Sequence, residues 1–418
     1  MRILILGINF WPEEAGIGAF TTYRAEYLAR QGHDVTVCTT FAYYPDWKLS
    51  PKDKGRWTAT ESHNGVQILR SYAYIPNPVT SLKRVLHEAS FVAGSFLRAF
   101  SIQRPDLLLV VSPPLGLALS AIVLSRWWGI PYVFDVMDLQ PDAAADLEML
   151  PPWVLRVMYT LERMAYRNAA LVSTLTKGMR ARIIQKGFAA EKVILFEPRA
   201  DDALLEIPLR EGAVFRRKYE LDGKFIVTHS GNFGVKQGLD VILDAAEMCR
   251  DDASLVFLLV GNGAARQRIE RRAAELGLDN VRFMPLLNAQ EFRGLLAASD
   301  VCLITQRKSV SDIVFPSKVV SYLAAGCAVI ASVNACSEIA QAVLESNAGT
   351  VVESENASAL RDAICAMRAH GLRDRQRNAR AYASKRWSST RVLQYFEKSL
   401  VSVSSAVPAS LAKQGITQ

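Results

Sequence analysis

Phe315-Pro-Ser-Lys-Val-Val-Ser-Tyr-Leu-Ala-Ala-Gly326 reads as a loop, a short helix and a glycine stop, and Cys327 to Ala331 then reads as a buried strand. Pro316 disfavours helix before it, and Ser317 is a preferred N-cap. Gly326 falls where a left-handed residue ends a helix. A helix start presents unpaired N–H groups and a partial positive charge, and Lys318 stands beside this one. That combination suits a phosphate. A capped surface helix with a solvated lysine fits the same residues, so the segment alone leaves both readings open.

Three more glycine turns follow expected strand ends. The loop from Asn9 to Gly18 carries Gly16 and Gly18 just before a helix. Ser230-Gly-Asn-Phe-Gly-Val-Lys-Gln-Gly238 lies between a strand and a helix. Backbone amides from Gly231 through Asn232 to Gly234 would cradle a diphosphate there, with Lys236 adding charge. Gly261-Asn-Gly263 is a shorter turn, in which close packing alone could demand the glycines. Each turn has a structural alternative. Their recurrence at equivalent strand ends favours phosphate.

Asp135 and Asp138 follow a strand at its carboxyl end and are the candidate acids, with loop capping as the alternative. The 5 histidines include His33 at a helix end, read as a cap, and His229, read as a strand residue near the same edge. His63 and His87 give no usable pattern. No His/Asp/Glu set has metal-ligand spacing, so no metal is implied.

The elements that must position these residues alternate strand and helix. Strands are expected at Ile3–Ile8, Asp34–Thr39, Val66–Arg70, Leu107–Val111, Tyr132–Val136 and Leu171–Thr174, with helices at Gly18–Arg30, Leu115–Trp128 and Trp153–Asn168. The pattern restarts at Phe225–His229 and continues through Leu255–Val260, Val281–Met284 and Val301–Thr305. Helices follow at Gly238–Cys249, Ala264–Leu276 and Ala289–Ala298, and the chain closes with helices at Glu338–Glu345, Ala357–His370 and Arg373–Lys385. This is the rhythm of two doubly wound α/β domains, whose ligands bind at the carboxyl edges of the strands. Between them Glu197–Leu221 is polar, holds Pro198 and Pro208 and shows no clear period. The expected division is 1–205, 206–385, a C-terminal helix at 386–400 returning to the first domain, and a loose tail at 401–418.

A chain of 418 residues supports two full cores. The net charge of +8 comes in short, mixed runs. That favours an anionic small ligand or a membrane surface over nucleic acid. The 6 cysteines form no CxxC and read as small buried residues of a reducing compartment. Leu107–Ser125 has the length of a membrane span, but Ser112-Pro113-Pro114 breaks it into a strand and a helix. Aromatics cluster at Phe41 to Trp47, with Trp57, Tyr72 and Tyr74 near them. They suit loop packing first and sugar stacking second. Leu82–Arg98 is an apolar helix with basic ends, equally suited to an anionic bilayer and to an inter-layer core.

Two Rossmann-like halves, the Gly16-Ile-Gly18 loop, RQGHDVTV, SGNFGVKQGLD, VGNG and FPSKVVSYLAAGCAVIAS together resemble glycosyltransferases of family 4, which have the GT-B fold with two domains facing a central cleft. The resemblance covers about residues 1 to 395. GINFWPEEAGIGAFT, YYPDWK and the helix from Ser81 resemble, more narrowly, the colanic acid biosynthesis glycosyltransferases, known as fucosyltransferases acting on a lipid-linked repeat unit. The resemblance implies retaining transfer from a nucleotide-sugar, GDP-fucose among the candidates, without metal or cofactor. It implies a donor in the C-terminal half and a lipid-linked oligosaccharide acceptor facing the N-terminal half. It also implies a cytoplasmic enzyme, peripheral at the inner face of the plasma membrane. Gly16, Gly18, Lys318 and Asp138 match the family pattern.

Asn232 and Gln237 stand where the family commonly has Arg and Lys, with Lys236 one place off. Ser321 stands where a glutamate holds the donor ribose, Ile313 (beside Asp312) where the other glutamate falls, and Met137 where a histidine precedes Asp138. Lys236 and Ser321 are therefore altered equivalents. A nucleotide-sugar epimerase of the same fold, or a non-catalytic nucleotide-sugar-binding assembly subunit, are the alternatives.

Overall fold

The computed structural model describes residues 1–13, 16–146, 150–309 and 317–405. Asp312, Ile313, Pro316 and the tail beyond Ser405 lie outside them. The chain forms two compact units, Met1–Glu197 joined by the chain from Leu393 onward, and Pro198–Val392.

In the first unit the strands are β1 Arg2–Leu6, β2 Asp34–Thr40, β3 Thr58–His63, β4 Val66–Ser71, β5 Leu107–Ser112, β6 Tyr132–Val136, β7 Leu171–Thr174 and β8 Val193–Leu195. They form one sheet in the order β3-β4-β2-β1-β5-β6-β7-β8. β1, β5 and β6 are short apolar runs buried almost throughout, as the middle of a parallel sheet requires. Only β3 runs antiparallel. It returns through Asn64-Gly65, both at positive φ, the backbone a two-residue hairpin favours. The helices are α1 Gly16–Arg30, α2 Ser81–Ala99, α3 Leu117–Trp128, α4 Gln140–Asp146, α5 Pro152–Asn168 and α6 Lys177–Gln185. The C-terminal helix Ser389–Ser405 buries Phe396 and Leu400. Its Glu397 accepts from the Tyr27 hydroxyl at 3.0 Å and pairs with His33 Nε2 at 3.0 Å. The tail expected to be loose from Val401 is helical as far as Ser405.

In the second unit the strands are β9 Phe225–Asn232, β10 Leu255–Asn262, β11 Val281–Met284, β12 Val301–Thr305, β13 Ala328–Ser332 and β14 Gly349–Val352. They are all parallel, in the order β11-β10-β9-β12-β13-β14. The helices are α7 Asp202–Leu205, α8 Leu209–Lys218, α9 Asp240–Glu247, α10 Arg266–Glu275, α11 Ala289–Ala298, α12 Ser317–Ala324, α13 Glu338–Glu345, α14 Ala357–His370 and α15 Arg373–Trp387. The stretch read as aperiodic, Glu197–Leu221, thus holds α7 and α8. A Cβ on Gly212 would stand 2.5 Å from the Ala297 carbonyl oxygen, so α8 can cross α11 closely only with glycine.

In each sheet the winding direction reverses once, between β1 and β5 in the first unit and between β9 and β12 in the second. No helix among the described residues is long and apolar enough to cross a membrane.

Candidate functional site

The reversal point of the second sheet is where its glycines gather. β9 and β10 pair in register to their ends, Gly231 opposite Gly261 and Asn232 opposite Asn262. A Cβ on Gly261 would overlap the Gly231 carbonyl oxygen, and one on Gly263 would run into the Asn232 side chain and the Phe233 backbone. All three glycines hold positive φ: +122° at Gly231, +144° at Gly261 and +154° at Gly263. Close approach and backbone sign both demand glycine here.

β9 runs to Asn232, three residues past its expected end, so Gly231 is a strand residue rather than part of a wide cradle. The Phe233 amide, expected to face an anion, donates to the Asn262 carbonyl at 2.8 Å, and the Phe233 ring is buried. Gly234 packs against Gln237 and Asn232. Lys236 sits on a 3-10 turn, Val235–Gln237, with its side chain exposed and its carbonyl accepting from the Arg307 amide.

Lys318 reaches this edge from the first turn of α12. Its Cε would lie 2.7 Å from a Cβ on Gly231, so the lysine stem occupies the space the glycine leaves. Its Nζ is 3.1 Å from His229 Nε2. Burial draws the Lys318 ammonium down from 10.5 to about 8. His229 is wholly buried in β9, and burial first, then the Lys318 charge, push it well below its usual value. A neutral imidazole with a lone pair on Nε2 is what a lysine N–H can donate to. His229 Nδ1 has no hydrogen-bond partner among the described residues, and the Leu303 backbone only partly offsets the downward push on the imidazole. His229 was legible only as a strand residue; its partnership with Lys318 comes from the fold.

Tyr322, one turn further along α12, is buried and accepts the Ser230 amide at 2.9 Å, which fixes the end of β9 to the helix. Ser317 is exposed as the first residue of α12, and the Ser321 hydroxyl bonds back to the Ser317 carbonyl at 3.4 Å. The structure therefore brings Gly231, Asn232, Gly263 and Lys318 together, sets Ser317 and Ser321 on the same helix turn, and keeps Lys236 on a neighbouring turn. Arg307, unremarked in the sequence, packs its stem under Gly238 with a buried Nε that has no hydrogen-bond partner among the described residues. A recess of about 450 Å³ bordered by Leu296, Gly326 and Arg380 opens at the opposite, amino edge of this sheet. Parallel sheets take ligands at the carboxyl edge, so the recess is not the candidate site.

The first unit has its own carboxyl edge. Gly16, at φ +60°, opens α1, and a Cβ on Gly18 would meet the Glu13 carbonyl oxygen at 3.0 Å. The loop these glycines permit is held by Glu13, which is buried and accepts from Asn9 Nδ2 and from the Tyr43 and Tyr44 amides, each at 2.8 Å. Burial raises its pKa despite those donors. His87 packs edge against Tyr43 and Trp47, which tilt against each other, whereas Trp57 and Tyr72 form an exposed pair. Asp138, partly exposed, lies in the turn from β6 into α4.

Asp135 is not at the site. It is fully buried, 2.6 Å from Arg24 Nη1, and accepts from the Ser173 hydroxyl at 2.6 Å. Arg24 also donates to the Phe196 carbonyl at 2.8 Å and lies over the Phe196 and Phe396 rings. The aspartate expected as a candidate acid is the anionic half of a structural ion pair.

A glycine-lined strand edge with a half-buried lysine can bind an anion. Residues 15–198 match the Glycosyl transferase 4-like domain and residues 224–370 match Glycosyl transferases group 1. The chain is 33% identical over 407 residues to WcaI of Escherichia coli (strain K12), named for colanic acid biosynthesis glycosyl transfer; the match covers 95% of this chain and 98% of that protein. Among solved structures, sucrose-phosphate synthase of Thermosynechococcus elongatus superposes with a TM-score of 0.75 at 18% identity, covering 97% of this chain and 99% of that one. HepE of Anabaena, solved with UDP, gives 0.71 at 20% identity, covering 96% and 100%. Matched in both halves and along nearly the full length of a relative, the chain belongs to the family 4, group 1 type glycosyltransferases: it is an enzyme of two Rossmann-like domains that transfers glycosyl groups.

Proposed function

We propose that the chain moves a sugar, with retention, from a nucleoside-diphosphate donor to a lipid-linked saccharide in exopolysaccharide assembly at the inner face of the plasma membrane. The observation that carries the reading is Lys318, held over Gly231 beside the neutral imidazole of His229. A partly desolvated cation set against a glycine backbone meets the negative charge that grows on a departing diphosphate. Gly231, Asn232 and Gly263 shape the same edge, the Ser317 end of α12 adds its dipole, and Lys236 and Ser321 reach the outer phosphate and the ribose. The HepE structures with UDP and UDP-glucose support a donor of this class.

In the transfer, the bond from the sugar's anomeric carbon to the diphosphate oxygen breaks, and a bond to the acceptor hydroxyl oxygen forms on the same face. The leaving phosphate oxygen takes the acceptor's proton. Asp138 orients that hydroxyl, and Gly16 and Gly18 serve as donor-binding residues of the first unit.

Thermal-shift titration with GDP-, UDP- and dTDP-sugars, GDP-fucose first, identifies the donor, since a specific ligand stabilises only the fold that binds it. NMR of the product's anomeric proton then reads the stereochemistry. Lys318→Ala is expected to weaken donor binding by about tenfold or more and shrink the donor's thermal shift accordingly. Asp138→Asn is expected to keep donor binding and lower turnover by about 10²-fold or more. Donor conversion without any acceptor would mark an epimerase, and donor binding with no turnover on any acceptor a non-catalytic subunit.

A further inference from the structure

Three neighbouring helices of the first unit present apolar side chains outward. On α2 the buried positions His87, Phe91 and Ser95 face the sheet, and the opposite face exposes Leu82, Val85, Leu86 and Leu97, with Phe100 just beyond the helix end. That spacing is one stripe of a helix. On α3, Leu119, Val123 and Trp127 repeat every fourth residue and are exposed. On α5, Trp153, Val157 and Met164, four and seven residues apart, share one helix stripe and are exposed. The stripes adjoin: the Phe100 ring lies 6.1 Å from Trp127, and Arg126 of α3 donates to Asn168 of α5 at 2.8 Å.

The charges on this face have one sign. The exposed charged residues beside the apolar stripes of α3 and α5 are Arg126, Arg156, Arg163 and Arg167. The helices' carboxylates turn inward: Glu162 is buried against Lys186 at 2.7 Å, and Glu88 is partly buried. An apolar face with Trp127 and Trp153 about 70% exposed (71% and 68%) and flanked by Arg126, Arg156, Arg163 and Arg167 has the chemistry of an interfacial anchor. A patch spanning three helices also exceeds the scattered apolar residues of an ordinary surface.

We propose that α2, α3 and α5 together form a docking face for an anionic lipid bilayer, with the apolar stripes at the acyl boundary and the arginines on headgroup phosphates. Its biological purpose rests on the lipid-linked acceptor reading; its geometry does not. The face is wider than the Leu82–Arg98 helix that the sequence singled out, and both tryptophans lie outside that helix.

The test is flotation of the full chain with vesicles of phosphatidylcholine, with or without phosphatidylglycerol. Flotation with the anionic vesicles alone, weakened by salt, is expected. Trp127→Ser with Trp153→Ser is expected to lower partitioning about tenfold, as loss of two interfacial anchors should. Leu82→Ser with Leu97→Ser is expected to do the same. Nucleoside-diphosphate binding, read in parallel, should be unchanged in both variants and reports their folding. Equal flotation of the tryptophan variant and wild type would overturn the three-helix face. So would a failure to float accompanied by a concentration-dependent dimer that the same substitutions dissolve, which would make the face an interface between copies. Intact vesicle binding with no turnover on any lipid-linked acceptor would sink the acceptor reading and leave the docking face standing.

Discussion

The Cε of Lys318 lies 2.7 Å from where a side chain on residue 231 would begin, so Gly231 and Lys318 occupy one volume between them. Gly231→Ala must therefore either move the lysine or strain β9. At φ +122° the alanine itself costs about 1–3 kcal/mol. Displacing the ammonium should also weaken nucleoside-diphosphate binding by about tenfold, on the scale of one charge-assisted hydrogen bond. Calorimetric titration of wild type, both single variants and the pair closes a double-mutant cycle. With Lys318→Met already in place, Gly231→Ala should change affinity by no more than about twofold. Additive losses would mean that the glycine acts on the ligand independently of the lysine.

A lysine drawn from 10.5 to about 8 gives a pH dependence of definite sign. Between those values the unfolded chain holds the proton and the folded chain does not, so the lysine makes ligand-free stability rise with pH across that window. Below about pH 8 the fold carries a poorly solvated ammonium. A bound diphosphate supplies the counter-charge. The rise in Tm produced by a nucleoside diphosphate should therefore be largest near neutral pH and shrink as pH passes about 8. Lys318→Met should raise ligand-free Tm below that point and remove the pH dependence of the ligand's effect. Scanning calorimetry with and without ligand at about pH 7 and pH 9.5 reads both quantities.

Much of this was legible before the structure, for physical reasons that differ by element. Tyr132–Val136, Val301–Thr305 and Ala357–His370 have the bounds their patterns predict, because runs of apolar residues or a clean helical face mark them. Thr58–His63 was not legible, because an edge strand half open to water need not be apolar, and the Asn64-Gly65 pair that turns its hairpin went unread. Nor was α6, a basic helix that buries only Met179 and Ile183. At the site, glycine and lysine at strand ends pointed to the right edge. Their contact needed the strand order β9-β12-β13, which no local pattern encodes. Asp135 misled because a carboxylate near a strand's carboxyl end looks like chemistry, while its partner Arg24 is 111 residues away in the chain.

That ion pair predicts a large and specific stability effect. Asp135→Asn leaves the Arg24 guanidinium buried without its anion, which should cost about 3–5 kcal/mol. Replacing both residues together, as Arg24→Met with Asp135→Leu, removes the charge and its desolvation at once and should cost markedly less. Urea unfolding followed by Trp fluorescence gives both numbers, fitted as two transitions because the chain has two units. A double variant less stable than Asp135→Asn would show that the unpaired buried guanidinium is not what the single variant loses stability to.

Tyr322 separates support of the site from contact with the ligand. Its hydroxyl accepts the Ser230 amide at 2.9 Å and lies 3.0 Å from the Ser230 hydroxyl, inside the protein. Tyr322→Phe keeps the ring and leaves that amide unsatisfied, which should cost about 1–3 kcal/mol. The end of β9 carries Gly231 one residue further on, so loosening it should widen the space in which Lys318 is held. Donor KM should rise several-fold while kcat changes little, because the hydroxyl positions the edge and does not touch the reacting atoms. Steady-state kinetics on the variant, with its Tm measured alongside, distinguishes this from a catalytic role. A fall in kcat at unchanged KM and Tm would place the hydroxyl in the chemistry instead.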